Sequence, residues 1–218
     1  RSPMGPMAMF GPQSQPKGDL SLLWRALGVR LSAKAPGIGG LGASPYVVWQ
    51  EYNPHLKLEL PAEFVFVDAS LESPDGKESP AGFNQQDRVT SGLQEVLFPF
   101  PGDLEREEGA DVTFTPLVRT AAPRTGTIEV DQVMSNRGDM RQLRIFERRS
   151  DKSSVLAVLV ERAAKPAPDG GAQDGAADAD AAKEGAGAKP IRAVVVADID
   201  LLDGRIFGLR SRPDEVFG

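Results

Sequence analysis

Three carboxylates follow an apolar run near the carboxyl end of the sequence. Residues 191–197 are mostly aliphatic, and Asp198, Asp200 and Asp203 come directly after them. Carboxylate oxygens that converge on one point could bind Mg²⁺ or Ca²⁺. Isolated acidic turns, however, are commoner than cages of converging oxygens. Asp is also a preferred cap of turns and helices. We therefore interpret the three as capping residues and only as weak metal candidates.

A second set of polar residues could donate hydrogen bonds to an anion or a sugar. Arginine and hydroxyl side chains suit such ligands because they supply several N–H and O–H donors. These candidates follow one predicted strand and lie in one predicted turn: Arg119, Thr120, Arg88, Thr90 and Ser91. With the three carboxylates they form the predicted ligand-binding site.

The residue inventory argues against catalysis and predicts no cofactor. The chain has no cysteine, and its single histidine, His55, follows Asn53-Pro54 in a predicted loop. A Ser-His-Asp hydrolase would need a Gly-x-Ser-x-Gly elbow, which the sequence lacks. The glycine-rich residues 36–42 lack the Lys-Ser/Thr ending of a phosphate-binding loop. We predict that the chain is not an enzyme.

The carboxylates are predicted to sit at the end of a central strand. The β-branched residues 194–196 show no polar alternation, which is typical of a strand buried on both faces of a parallel sheet. In such sheets ligands bind at the carboxyl ends of the strands. Further strands are predicted at 29–31, 46–49, 64–67, 96–100, 112–118 and 155–161, with a helix over 20–27. The pattern predicts an α/β fold.

Composition divides the chain into one folded domain and two flexible tracts. Residues 1–18 are rich in Pro, Gly and Met and predict a flexible lead-in. Residues 163–190 are rich in Ala, Gly and Asp without any aromatic residue, so they cannot bury enough apolar surface to offset the entropy of ordering. They predict a disordered insertion. The folded domain would comprise residues 19–162 and 191–218.

The charge of the chain argues against a nucleic-acid partner. The formal net charge is -6, and the pI is about 5.0, whereas phosphate backbones are bound by clustered Lys and Arg. The densest group of arginines, between residues 137 and 149, is interrupted by Asp139 and Glu147 and predicts a solvated face. No apolar run approaches the ~20 residues that cross a bilayer. We expect membrane contact only through segments outside this sequence.

Several short segments, in their order along the chain, resemble one known family. They are residues 22–29 (LLWRALGV), 46–49 (YVVW), 83–93 (FNQQDRVTSGL), 97–102 (LFPFPG), 114–120 (FTPLVRT), 155–160 (VLAVLV) and 194–202 (VVVADIDLL). Each segment alone is a weak pattern, but the order is specific. The chain resembles the GldG-type auxiliary domain of uncharacterised, gliding-motility-like ABC transport systems.

The resemblance implies a fold, a place and a role. It implies a Rossmann-like or flavodoxin-like, mostly parallel sheet flanked by helices, here expected to be a fragment that lacks the opening β-α units. It implies a non-catalytic interaction domain on the extracytoplasmic, periplasmic face of a bacterial inner membrane. The implied partners are the permease and ATPase subunits or other proteins of the membrane complex. One alternative is a carbohydrate- or glycan-binding module, and a further alternative is a metal-dependent hydrolase.

Overall fold

The fold consists mainly of β-strands. A computed structural model describes residues 21–33, 45–55, 57, 60–71, 82–135, 143–164, 189–198 and 201. The elements are α1 (Ser21–Leu27), β1 (Val29–Leu31), β2 (Tyr46–Gln50), β3 (Phe64–Asp68), β4 (Gly82–Phe83), β5 (Glu95–Pro99), β6 (Leu104–Arg106), β7 (Thr113–Arg119), β8 (Thr125–Glu129), α2 (Val130–Ser135), β9 (Arg148–Ser150), β10 (Val155–Arg162) and β11 (Ile191–Val196).

The strands pair in an antiparallel manner throughout the described residues. They form a four-stranded sheet in the order β11-β10-β7-β4, a three-stranded sheet in the order β2-β8-β9, and the pairs β1-β6 and β3-β5. Every one of these pairings is antiparallel. The predicted α/β fold, a Rossmann-like or flavodoxin-like parallel sheet flanked by helices, is therefore wrong. The structure instead shows small antiparallel sheets with two short helices in the described part of the chain.

The error arose from the position of β11. This strand is the outer strand of its sheet where the structure describes it, and Val194 and Val196 are 46% and 36% exposed. Valine is favoured in edge strands as well as in central strands, so a run of valines does not distinguish between the two positions. In contrast, β10 has an apolar cluster on each of its faces. Its Leu159 packs in one apolar cluster, and its Val158 and Val160 pack in another.

Three apolar clusters fill the spaces between the sheets. The first joins the β3-β5 pair to one face of the four-stranded sheet, through Val65, Phe98 and Leu117 among others. The second covers the opposite face with β1 and β6. The third contains Trp49, Ile128, Val133 and Leu143 and lies between β2, β8 and α2. Because β10 contributes to the first two clusters, it connects the layers of the molecule.

Backbone hydrogen bonds join β2 to the ends of the β3-β5 pair. The N–H of Val48 donates to the carbonyl of Pro101 at 2.7 Å, and that of Gln50 donates to Ala62 at 2.9 Å. The N–H of Phe100 donates to the carbonyl of Glu63 at 2.8 Å. These bonds fix the end of β2 beside the start of β3, where a cleft opens.

Several predicted features lie outside the described residues. These are the lead-in at residues 1–18, the glycine-rich residues 36–42 and nearly all of the predicted insertion at 163–190. The predicted strands at 29–31, 46–49, 64–67 and 155–161 coincide closely with β1, β2, β3 and β10.

Candidate functional site

The carboxylates predicted at the end of β11 are only partly described. Asp198 accepts a hydrogen bond at Oδ1 from the backbone N–H of Leu201, at 3.2 Å. This contact has the geometry of an Asp that caps the turn after a strand. Asp200 and Asp203 lie outside the described residues. Within the part that is described, no group of three or more His, Cys, Asp or Glu side chains could hold a metal ion.

Two of the predicted donors make hydrogen bonds inside the fold. Thr120 is fully buried; its N–H donates to the carbonyl of Ser154 at 3.0 Å, and its Oγ1 accepts the N–H of Ser154 at 2.9 Å. Thr90 is also buried, and its hydroxyl donates to the carbonyl of Asn84 at 2.8 Å. These hydroxyls hold backbone segments together, whereas Arg88 and Ser91 are exposed on the turn around Thr90.

Arg119 lies in a groove beside the outer edge of β7. The groove has a volume of 410 Å³ and is lined by Gly82, Phe83, Asn84, Gln85, Gln86, Thr115, Pro116, Leu117 and Arg119. Burial lowers the pKa of the Arg119 guanidinium. Of the predicted ligand-binding residues, Arg119 is the one that lines this groove. Ligand binding by this set of residues stays a prediction.

A larger cleft, here called the β2–β3 cleft, opens where β2 ends and β3 begins. Its volume is 660 Å³, and it is lined by Gln50, Glu51, Tyr52, Asn53, Leu60, Pro61, Ala62, Glu63, Phe64, Phe66, Arg144 and Glu147. The Phe64 N–H donates to the Pro61 carbonyl at 2.9 Å and closes a turn. This turn contains Glu63, which lines the cleft. The opposite wall is the 143–147 segment, anchored by the fully buried Leu143.

Two carboxylates in this cleft are held in unfavourable surroundings. Glu63 is only 2% exposed. Burial raises its pKa, while a hydrogen bond from its own backbone N–H and the nearby Arg144 oppose that rise. Burial also raises the pKa of Glu147, and repulsion from Glu63 adds to the effect, while Arg144 opposes it. The charged forms of both carboxylates are therefore less favourable in the cleft than in water.

Aromatic rings form the apolar part of the same cleft. Phe64 packs edge-on against Phe100, with ring centroids 5.0 Å apart. Phe66 lies 5.3 Å from the ring of His55. The Tyr52 hydroxyl donates to a carboxylate oxygen of Asp68. Burial and this contact raise the pKa of Tyr52. Burial would also raise the pKa of Asp68, but the hydrogen bonds from Tyr52 and Ser70 outweigh it and lower that pKa. These contacts fix the rings in place.

The single histidine takes part in a side-chain pair. His55 Nε2 lies 2.9 Å from both carboxylate oxygens of Glu95, on β5. Its side chain is 21% exposed. The His55–Glu95 contact links the loop after β2 to β5 beside the cleft.

The model of one protein family matches almost the whole chain. That family is described as an ABC-type uncharacterized transport system, and the match spans residues 3–216. The chain belongs to this family. No curated protein and no solved structure matches it.

Membership makes the chain an auxiliary component of an ABC-type transport system, and it implies association with transporter components. The predicted resemblance is confirmed at this level, while the GldG-type assignment stays a prediction. Neither helix of the described residues has the length and apolar character required to span a bilayer.

In this family member, the cleft residues Glu63 and Glu147 were missed as site candidates by sequence reasoning. Glu63 lies between Ala62 and Phe64 at the start of an apolar strand, and an acidic residue there resembles an ordinary exposed strand end. Glu147 lies among arginines that predicted a solvated face. The available signal was the position of Glu63 between apolar neighbours.

Proposed function

We propose that this chain is a non-catalytic, extracytoplasmic domain that acts by binding the other subunits of its ABC-type transport system. The observation that carries the proposal is the family match, which spans residues 3–216 and thus nearly every folded element. Such a match relates the whole domain, and not a local motif, to an auxiliary role. The fold supports a binding role as well, because large apolar side chains such as Ile145 and Leu22 are 77% and 71% exposed.

The extracytoplasmic location is tested by cysteine labelling in intact cells. The chain has no cysteine, so a single Asp151→Cys substitution at an exposed loop position gives one reactive site. The full-length protein, made in its own host, should react with a membrane-impermeant maleimide without permeabilisation. Val158→Cys is the matched control, because Val158 is fully buried and its replacement should stay unreactive. Labelling of the Asp151→Cys variant only after lysis would place the domain in the cytoplasm.

Binding to the transporter is tested by purification. The tagged full-length protein, solubilised in mild detergent, should retain the permease or ATPase subunit of its own system, identified by mass spectrometry. A photoreactive residue in place of Ile145 or Leu22 should crosslink to the same subunit. A photoreactive residue in place of the exposed Glu108 is the control and should give fewer crosslinks to it. Purification of the protein without any transporter subunit would contradict the proposal.

The non-catalytic part of the proposal is tested with divalent ions. If Asp198, Asp200 and Asp203 are only capping residues, millimolar Mg²⁺ or Ca²⁺ should leave the melting temperature unchanged. An ion raises the melting temperature by mass action only if it binds the native state. A rise in melting temperature that Asp200→Asn abolishes would favour a metal-dependent hydrolase.

Glycan binding is a second candidate function, and the Arg119 groove favours it. The groove combines the Arg119 guanidinium with amide and hydroxyl groups from Gln85, Gln86 and Thr115. Such groups donate to and accept from sugar hydroxyls. An array of glycans should show binding that Arg119→Gln abolishes. Equal signals from the wild-type and variant chains would eliminate this candidate.

A further inference from the structure

Glu63 is a buried carboxylate whose charged form is disfavoured by its burial. It is only 2% exposed and lines the β2–β3 cleft. Its carboxylate accepts a hydrogen bond from its own backbone N–H, and the nearby Arg144 favours its charged form. Buried charges in proteins are normally paired and hydrogen-bonded. A positively charged group that enters the cleft would stabilise the charged form of Glu63 further.

The charge balance of the cleft favours a cation. Its lining includes three carboxylates, from Glu51, Glu63 and Glu147, and one guanidinium, from Arg144. Arg149 lies outside the lining and pairs with Glu51. Negative charge therefore exceeds positive charge even when Arg149 is counted. An anionic ligand would meet net repulsion here, and a cationic one would meet net attraction.

The shape of the site favours an organic cation over a metal ion. Hard metal ions need several oxygens converging on one point, and the described part of the chain offers no group of three or more acidic or histidine side chains arranged in that way. The cleft instead combines separated carboxylates with the rings of Tyr52, Phe64 and Phe66. Aromatic faces attract ammonium and guanidinium groups and also pack against apolar stems.

We propose that the β2–β3 cleft binds an organic cation, namely a primary amine or a guanidinium carried on an apolar stem. Glu63 and Glu147 receive the charged head, and Tyr52 and Phe64 contact the stem. Arg144 lies beside both carboxylates and competes with the ligand for them. The site does not depend on the proposed transport role, because only the residues of the cleft define it.

The first test uses three probes of equal length that differ in charge. The ¹⁵N-labelled full chain is titrated with pentylamine, pentanol and pentanoate, and amide shifts are followed by NMR. Pentylamine should cause saturable shifts at Asn53, Glu63 and Phe64, while pentanol and pentanoate should cause much smaller ones. Equal shifts with all three probes, or shifts located elsewhere, would overturn the proposal.

The second test changes the charge of the cleft in both directions. Glu147→Gln should weaken pentylamine binding about tenfold, the typical effect of removing a charge-assisted hydrogen bond. Arg144→Gln should tighten it several-fold, because a competitor for the carboxylates is removed. Glu108→Gln, at an exposed position away from the cleft, makes the same charge change as Glu147→Gln and should have no effect. Unchanged affinity in both cleft variants would refute the assignment.

The source of the cation is distinguished by a third probe. A Gly-Lys-Gly peptide with blocked termini carries the same amine on a protein side chain. Shifts at the same amides with this peptide indicate a basic side chain of a partner protein. Shifts with pentylamine alone indicate a free amine. If neither probe produces shifts that Glu63→Gln reduces, the cleft does not bind organic cations.

Discussion

Gln50 joins two segments that are far apart in the sequence. Its side-chain Nε2 donates to the carbonyl of Phe66 at 2.7 Å, and its Oε1 accepts the N–H of Ala121 at 2.8 Å. Gln50 is 1% exposed, so water cannot replace it as the hydrogen-bond partner of the Phe66 carbonyl or the Ala121 N–H. The Gln50 amide thus provides hydrogen-bond partners for the Phe66 carbonyl and the Ala121 N–H in the interior. It also fixes the end of β2 at the edge of the β2–β3 cleft.

Replacing Gln50 by Leu should destabilise the fold. The change leaves the Phe66 carbonyl and the Ala121 N–H buried without partners, at a cost of about 1–3 kcal/mol for each group. We expect the free energy of unfolding in urea to fall by about 2–4 kcal/mol. Gln85→Leu, at an exposed position, should change it by less than about 0.5 kcal/mol. Equal effects of the two substitutions would show that the buried amide has no structural role.

Asp103 should make stability depend on pH. Burial raises its pKa to about 6; the Val155 N–H and Ser154 oppose the rise, and repulsion from Glu105 adds to it. Because this pKa exceeds the unfolded value of 3.8, the folded state keeps a proton on Asp103 between these two pKa values, where the unfolded state has already lost it. Stability should therefore be greatest below about pH 4, fall as pH rises through about 6, and then level off.

Replacing Asp103 by Asn should remove that dependence. An Asn Oδ1 can still accept the Val155 N–H, which donates to Asp103 Oδ1 at 2.9 Å, but it carries no buried charge. Stability at pH 7 should rise by about 1–3 kcal/mol, as measured by urea unfolding between pH 4 and pH 7. Asp151→Asn, an exposed control, should leave the pH profile unchanged. A pH profile of Asp103→Asn that matches wild type would contradict the assignment.

Gly126 in β8 should not tolerate a side chain. A Cβ there would lie 2.0 Å from the carbonyl oxygen of Arg148 and 2.7 Å from a ring carbon of Trp49. We expect Gly126→Ala to lower the free energy of unfolding by about 3 kcal/mol, because the sheet must deform to admit the methyl group. Gly92→Ala is the matched control, since nothing lies within 4 Å of its added Cβ. A melting temperature of Gly126→Ala equal to that of Gly92→Ala would be inconsistent with this packing.

Strands β10 and β11 should respond differently to a buried charge. Val158 in β10 is fully buried, whereas Val194 in β11 is 46% exposed. Val158→Asp places an unpaired carboxylate in the core and should unfold the domain, at a cost above about 4 kcal/mol. Val194→Asp should retain a cooperative melting curve with a small loss of stability. The reverse order would make β11 the central strand.

Sequence reasoning located many strands but not their arrangement. Apolar runs identified β2, β3 and β10 because the strand period and β-branched residues are local signals. Pairing direction has no local signal, so the valines of β11 were equally compatible with a central parallel strand and with an antiparallel edge. The β2–β3 cleft was not predicted for a related reason. Gln50 and Glu63 are buried by residues remote in sequence, and a polar residue at a strand end looks solvated until those neighbours are known.

The register of β10 and β11 places the end of one strand beside the start of the other. Arg162 pairs directly with Ile191, so the two points that flank the intervening residues are neighbours in the sheet. The entropic cost of closing a loop grows slowly, by about 0.6 kcal/mol for each doubling of length. A fluorescent protein or an affinity tag with flexible ends could therefore be spliced in after Arg162. Such an internal attachment point would report on the domain inside an assembled transporter while both chain ends keep their native connections.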